Sequence, residues 1–184
     1  MRAIAANYAD ITGNSLSGKR ILDYGMGYGR LLRLAAFYSD EVYGVDPWPE
    51  SIRQCEEAGL PNVALSDYLP VSLPVPVDVD FSYAFSVFTH LSEKATIAAL
   101  TAVHRHTRAG GIFCITIRPV EYWRVVYGTQ WSESELVEME QRHDQGFAFY
   151  PHSWNAHGAE EVTYGDTSMT MAWLESLCAK IGWT

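Results

Sequence analysis

A short apolar run, Ile21-Leu22-Asp23-Tyr24, enters the turn Gly25-Met26-Gly27-Tyr28-Gly29, and a helical pattern leaves that turn at Arg30. Glycine is needed where the backbone turns with positive φ or meets a ligand without a Cβ in the way. A second strand over 41–45 ends on Asp46, seventeen residues after the last glycine of the turn. An acidic side chain at the tip of that strand reaches both hydroxyls of a ribose. Strand, glycine turn, helix, strand and acid together indicate a cofactor that contains a nucleoside.

The spacing narrows the choice. A dinucleotide fingerprint reads G-x-G-x-x-G and holds a pyrophosphate at the helix N-terminus. Here the glycines fall as Gly25-x-Gly27-x-Gly29, with Asp23 two residues ahead of the first. A carboxylate there repels a pyrophosphate and attracts an ammonium group. S-adenosylmethionine carries an ammonium and a sulfonium and has no phosphate, so the electrostatics favour it over NAD or FAD.

The remainder alternates strands and helices. A short N-terminal helix carries Ile4, Tyr8 and Ile11 at spacings of four and three, and the helix after the turn carries Leu31, Leu34, Ala35 and Tyr38 on one face. Pro47 and Pro49 bracket the start of the next helix, which has Ile52 and Cys55 on one side and stops at Gly59. Strands are expected over 62–66, 77–85 and 112–117, the last preceded by Gly110-Gly111 and stopped by Pro119. The stretch 70–76, with three prolines, reads as a stiff connector. Ser92 is expected to cap a helix to about residue 106, with Ile97, Leu100 and His104 on one side. Such alternation implies right-handed crossovers and a doubly wound, mostly parallel sheet with helices on both faces.

From 120 to 165 the pattern changes. Aromatic residues become dense (Tyr122, Trp123, Tyr127, Trp131, Phe147, Phe149, Tyr150, Trp154), and Ser132 with Glu135 forms a capping box. This stretch reads as an insertion or lid over the ligand edge of a single domain spanning 1–184. A last helix holds Leu174, Leu177, Cys178 and Ile181 and ends at Gly182.

Thirteen basic against twenty-two acidic residues give a net charge of −9, which argues against a nucleic-acid backbone as partner. No run is long enough to span a membrane and no signal peptide opens the chain, so a cytoplasmic location is expected. Three scattered cysteines, Cys55, Cys114 and Cys178, read as buried free thiols rather than ligands.

Several ordered stretches resemble the class I S-adenosylmethionine-dependent methyltransferases. The turn from Ile21 to Arg30 is similar to the family's first motif, and Val45-Asp46 to the acidic end of its second strand. Ser66-Asp67-Tyr68 is similar to its adenine-contact position, the stretch from Asp80 to Leu91 to its fourth-strand motif, and Arg108-Ala109-Gly110-Gly111 to the turn before strand five. The resemblance implies a Rossmann-like fold of seven strands, of which the sixth would begin only at Trp183-Thr184. Strands six and seven are therefore expected to be truncated, the chain being a fragment, or replaced by 147–150 and 162–164; the first is favoured. Two departures stand in the turn: Met26 where the family has a small residue or cysteine, and bulky Tyr28. Both side chains are expected to point away from the ligand.

The resemblance also implies roles. Gly25, Gly27 and Gly29 would pass under the methionyl part of the cofactor, with Asp23 near its ammonium. Asp46 would take the ribose hydroxyls, Pro47 and Trp48 would pack on the adenine, and Asp67 and Tyr68 would meet its amine and face. Phe85 and Ser86 would offer backbone carbonyls to the ammonium. Methyl transfer needs little from side chains beyond alignment, and orientation contributes roughly 7–11 kcal/mol in favourable cases. A hydroxyl acceptor adds the need for a base, and His90, just beyond strand four, is the first candidate. His143, Asp144, His152 and His157 in the insertion are further candidates as base or substrate contacts, and their spacing matches no metal signature. The expected activity is methyl transfer to a small-molecule O- or N-nucleophile. The rival readings are a binding or scaffold protein that keeps the cofactor pocket, and, more weakly, an NAD-dependent oxidoreductase.

Overall fold

The computed structural model describes residues 1–76, 78–152 and 162–184. The chain divides into two compact units, Met1–Phe85 with Ala102–Ile115, and Ser86–Thr101 with Thr116–Thr184.

The first unit is built on a five-stranded parallel sheet flanked by helices, in the order β3-β2-β1-β4-β5. In chain order its elements are α1 (Arg2–Thr12), β1 (Ile21–Tyr24), α2 (Arg30–Ala35), β2 (Val42–Asp46), α3 (Pro49–Glu57), β3 (Val63–Leu65), β4 (Val79–Ala84) and, after α4 (Glu93–His106), β5 (Thr107–Ile115). The chain winds outward from β1 through β2 to β3, then returns to lay β4 and β5 on the other side of β1. The order reverses between β1 and β4, and in open sheets of this kind ligands bind beyond the carboxyl ends of the strands at such a point. All four residues of β1 are buried, as a strand covered on both faces requires.

The core of this unit joins Ile21, Val42, Phe81 and Tyr83 from the strands with Tyr8 of α1, Leu32 and Ala35 of α2, and Cys55 of α3. Burying each large side chain contributes about 1.5–3 kcal/mol. The helical faces differ in detail from those expected. Leu32 is buried and Leu34 half-exposed, so Leu32 takes the place of Leu34 in the inward stripe of α2 beside Leu31 and Ala35, and Ile11 at the end of α1 is exposed. In α4 the buried positions are small, namely Ala95, Thr96, Ala99 and Ala102 with Leu100 and Val103, while Ile97 lies partly open.

Gly110 and Gly111 do not precede β5 but lie inside it, where its register against β4 shifts between Val79 and Phe81. Gly110 has φ +74°, and a Cβ on Gly111 would stand 2.5 Å from Thr107 Cγ2 and 3.0 Å from the Val79 carbonyl. The pair makes a bulge, a place where strands accept glycine readily. Cys55 is buried as expected, whereas Cys114 and Cys178 are only half-buried.

The second unit contains α5 (Glu121–Tyr127), α6 (Glu133–Asp144), β6 (Phe147–Pro151), β7 (Gly165–Met169) and α7 (Met171–Ile181), together with the first part of α4. Ser132 and Glu135 form the expected capping box at α6. β6 pairs with β7 antiparallel as a separate two-stranded ladder, from Phe147 opposite Met169 to Pro151 opposite Gly165. Among the described residues neither strand joins the parallel sheet. The strand expected over 162–164 is displaced to 165–169, and Tyr164 makes only an isolated bridge to Leu91. Trp123, Leu136, Met139 and Ala148 form this unit's core, with Tyr122, Tyr127 and Trp131 packed on it. Trp154 and His157 lie outside the described residues.

Candidate functional site

The glycine turn sits at the carboxyl end of β1, and its three glycines are required for three different reasons. Gly25 (φ +72°) reverses the chain while its N–H donates to the Val45 carbonyl at 2.9 Å. Gly27 (φ +52°) has no atom within 4 Å of where a Cβ would stand, so its face is open to a ligand. Gly29 (φ +70°) caps α2, and a Cβ there would meet Leu60 Cδ1 at 2.4 Å and Cys55 Sγ at 3.1 Å. Only Gly27 is small in order to leave room at an open face; Gly29 is small because α3 packs against it.

Asp46 organises the site. Its Oδ2 accepts the Gly27 N–H at 2.9 Å and its Oδ1 accepts the Trp48 N–H at 2.9 Å. Each oxygen has a second lone pair, so two further donors, such as vicinal hydroxyls, are accommodated. Burial pushes its carboxyl above the ordinary value, opposed by the two amide hydrogen bonds and by the Ser51 hydroxyl.

Asp23 lies deeper, with its Oδ2 accepting the Tyr83 hydroxyl at 2.9 Å. Burial raises it to about 7, against the lowering effect of Tyr83 and with a further push from Asp46. Two carboxylates below and beside the turn make a poor seat for a pyrophosphate and a good one for a cation. Among the described side chains this donor and acceptor set fits S-adenosylmethionine.

The two departures at the turn differ in fate. Met26 is turned inward, as expected, and lies across Gly44 of β2, where a Cβ would stand 2.3 Å from its Sδ. Tyr28 is 47% exposed and packs against Trp48, with ring centroids 5.5 Å apart. Trp48 is 40% exposed, so it is a surface ring beside the turn rather than core. Asp46 places this pair, since it holds both the Trp48 amide and the amide that precedes Tyr28. Pro47, half-buried, follows in the same loop.

Beyond β3, the Ser66 N–H donates to the Asp46 carbonyl at 3.0 Å, which brings the following residues towards that acid. The Tyr68 hydroxyl is pushed up by burial and then by the charge of Asp46. Asp67 is exposed and lines a groove of about 340 Å³ with Leu65, Ser66, Ser72, Leu73 and Pro74. The far wall is pinned by α4: His106 Nε2 accepts the Leu73 N–H at 3.1 Å, and Arg105 Nη1 donates to the Val71 carbonyl at 2.6 Å. Sequence reading treated 70–76 as a mere connector and passed over His106, whose buried ring fixes it.

Phe85 follows β4 half-exposed, and Ser86 adopts φ +60°, a conformation uncommon for a residue with a Cβ. The Ser86 N–H donates to Thr116 Oγ1 at 2.7 Å. Strain of this kind concentrates where backbone groups must be aimed.

In the second unit His90 is a linking residue. Its Nδ1 lies 2.7 Å from the Gly165 carbonyl and its Nε2 3.1 Å from Arg118 Nη2, while the ring stacks on Tyr164 at 4.9 Å. The centre of this cluster is Asp166, a residue sequence reading did not single out. Its Oδ1 accepts from Arg118 Nη1 at 2.6 Å, and its Oδ2 from His152 Nε2 at 3.0 Å and from the Tyr127 hydroxyl. Burial alone would raise the Asp166 carboxyl, but hydrogen bonds from His90, Tyr127, His152 and Arg118 outweigh it and hold the group well below the ordinary range. Arg118 also lies over the Tyr122 ring at 3.9 Å and donates to the Thr89 carbonyl.

The other candidates of the insertion separate. His143 is buried with its Nδ1 2.9 Å from Ser168 Oγ, an oxygen that also accepts from Trp123 Nε1, so it belongs to the core. Asp144 is exposed at the end of α6.

Residues 21–111 match the family model described as "Methyltransferase domain". No curated protein sequence matches this chain. Among solved structures, an S-adenosylmethionine-dependent methyltransferase from Mesorhizobium loti is 19% identical over 97% of this chain and 81% of its own, with a TM-score of 0.64. The DhpI-SAM-HEP complex is 16% identical over 98% of this chain and 76% of its own, with a TM-score of 0.58. SAM-bound CalS10, an amino pentose methyltransferase from Micromonospora echinaspora, is 24% identical over 62% of this chain and 48% of its own, with a TM-score of 0.52. At these identities the structural likeness is one of fold.

Proposed function

On the premise that this chain belongs to the class I S-adenosylmethionine-dependent methyltransferases, we propose that it transfers a methyl group to a small molecule through an oxygen or nitrogen nucleophile. The observation that carries the reading is the open face of Gly27 beside a carboxylate that retains a lone pair on each oxygen. The family's cofactor is S-adenosylmethionine, which supplies a methyl group already activated on a sulfonium.

The chain's own residues bind and orient. Asp46 would receive the ribose hydroxyls, Gly25, Gly27 and Gly29 would give the methionyl part its approach, and Asp23 would balance the ammonium from below. Pro47, Trp48 and Tyr68 would pack on the adenine and Asp67 would meet its amine. Phe85 and Ser86 would present carbonyls to the ammonium. Residues 120–165 would carry acceptor selection, and the acceptor class printed for CalS10, an amino pentose, matches the scale we envisage. His90 is not proposed as the base, since Arg118 and Gly165 engage both of its ring nitrogens.

Calorimetry with S-adenosylmethionine, S-adenosylhomocysteine and NAD, followed by turnover to S-adenosylhomocysteine against a panel of sugars, amines and phenols, tests the reading. Binding of NAD alone would overturn the cofactor assignment. Tight S-adenosylmethionine binding without turnover on any acceptor would favour a scaffold.

A further inference from the structure

Asp23 and Tyr83 stand opposite each other on the paired strands β1 and β4, and Gly44 of β2 stands on the other side of Asp23. Side chains alternate along a strand, so residues in register across neighbouring strands share a face. Gly44 adds no side chain to this row; the Met26 thioether and Leu32 Cδ2 fill the space where its Cβ would be. Asp23 is therefore walled by apolar groups on the β2 side and by Tyr83 on the β4 side. At 2% exposure it acts on a ligand as a charge beneath the turn, not by contact.

Few groups compensate that charge. The Tyr83 hydroxyl donates to Asp23 Oδ2 at 2.9 Å, and the Leu32 N–H in the first turn of α2 also favours the charged form. Against them stand burial and the second carboxylate, Asp46 of β2. From α3 comes the Cys55 thiol, pushed up by burial and by the charges of Asp46 and Asp23, with Arg33 opposing. From α1 comes Tyr8, whose ring meets Phe81 at 5.2 Å. Among the described residues no cationic side chain shifts either acid, and Tyr83 is the one side chain that donates to Asp23. Burial holds Asp23 up at about 7, so near neutral pH the free protein retains a proton there for roughly half of the time.

We propose that Tyr83 is a positioning residue for the cofactor: its hydroxyl favours the ionised form of Asp23, so that S-adenosylmethionine binds with release of a proton from Asp23 and binds more tightly as pH rises. The inference rests on the methyl-transfer reading above, in which Asp23 balances the cofactor's ammonium. A cation placed above a buried acid stabilises its charged form. Linkage is reciprocal, so the form that attracts the cation is also the form the cation creates. On binding, the Asp23 O–H bond breaks, its electron pair stays on the carboxylate and the proton passes to solvent; the cofactor's own bonds are unchanged. Below about 7 the free protein holds that proton, binding must expel it, and affinity therefore falls as pH falls. Without the Tyr83 hydroxyl the neutral acid gains, and the same fall sets in at higher pH.

Titration calorimetry with S-adenosylmethionine between about pH 5 and pH 7, below the range in which the cofactor's own amine titrates, tests this. Repeating it in two buffers of different ionisation enthalpy counts the protons released. The wild-type protein should release up to about one proton and gain about tenfold in affinity across that range. Asp23→Asn should abolish both effects. Tyr83→Phe should retain them but move the rise upward by about one pH unit, so that the variant at pH 7 binds as the wild type does at pH 6. A tyrosine that served packing alone would lower affinity by the same factor at every pH. Binding without proton release in the wild type overturns the inference and needs no variant. So does a release that persists in Asp23→Asn, or a Tyr83→Phe profile whose shape matches the wild type. No binding of S-adenosylmethionine at any pH overturns the methyl-transfer reading itself, and the inference with it.

Discussion

Asp46 and Asp166 are both buried carboxylates at the end or start of a strand, and they are held in opposite ways. Asp46 takes one backbone amide on each oxygen and is pushed up by burial. Asp166 takes an arginine, a histidine and a tyrosine and is held far below the ordinary carboxylate range. Amides position an acid while leaving lone pairs for a ligand. Charged side chains neutralise it and tie segments together. The difference teaches that the first carboxylate is arranged for something from outside and the second for its own neighbours.

Substitutions at the two acids should break or sharpen this contrast. Asp46→Ala removes the hydroxyl acceptors and releases the turn, so affinity for S-adenosylmethionine should fall about 10³-fold, the equivalent of about 4 kcal/mol. Calorimetry giving the wild-type constant would erase the distinction. Asp166→Asn leaves Arg118 with an uncompensated charge, and urea denaturation should show a loss of about 3 kcal/mol; a loss below half of that would mean the cluster is not a structural hub.

Asp23 provides a pH test. Its folded carboxyl is raised to about 7 from 3.8, so the stability it contributes is complete below the unfolded value and is lost as pH rises through the folded one. Wild-type stability should therefore decline between about pH 4 and pH 7, by up to about 1 kcal/mol per unit. Asp23→Asn should flatten that decline, and an unaltered slope would remove Asp23 as its source. The smallest effect is expected at Gly27→Ala. Nothing obstructs the new methyl group, so stability should drop only by about 1 kcal/mol for the left-handed backbone. Cofactor affinity should suffer more than stability, because the methyl group occupies the open face.

The contrast also explains what could be read in advance. β1, the turn, β2 and Asp46 are adjacent in sequence, and their requirements, glycine at positive φ and an acid at a strand tip, are backbone requirements that residue types reveal directly. The Asp166 cluster draws on His90, Arg118, Tyr127 and His152, up to 76 positions away in the chain. No local pattern announces such an assembly. β7 hides it further: Gly-Asp-Thr-Ser-Met has no apolar alternation, yet all five residues are buried, with Thr167 Oγ1 donating to the Leu91 carbonyl and Ser168 serving Trp123 and His143. A strand that satisfies its polar groups through side chains carries no hydropathy signal, which is why it was expected three residues too early. His90 is legible by position, whereas its partner Arg118 lies on another segment and is not.

The side chain of Met26, lying across Gly44, imposes an order on how this lineage can change. An alanine at 44 would meet the Met26 sulfur and stand 3.0 Å from Leu32 Cδ2, so that replacement requires both side chains to shift while methionine occupies 26. Once a smaller residue arrives at 26, the same alanine needs only Leu32 to give way. The two positions are thus epistatic, and homologues should show bulk at one or the other but rarely at both.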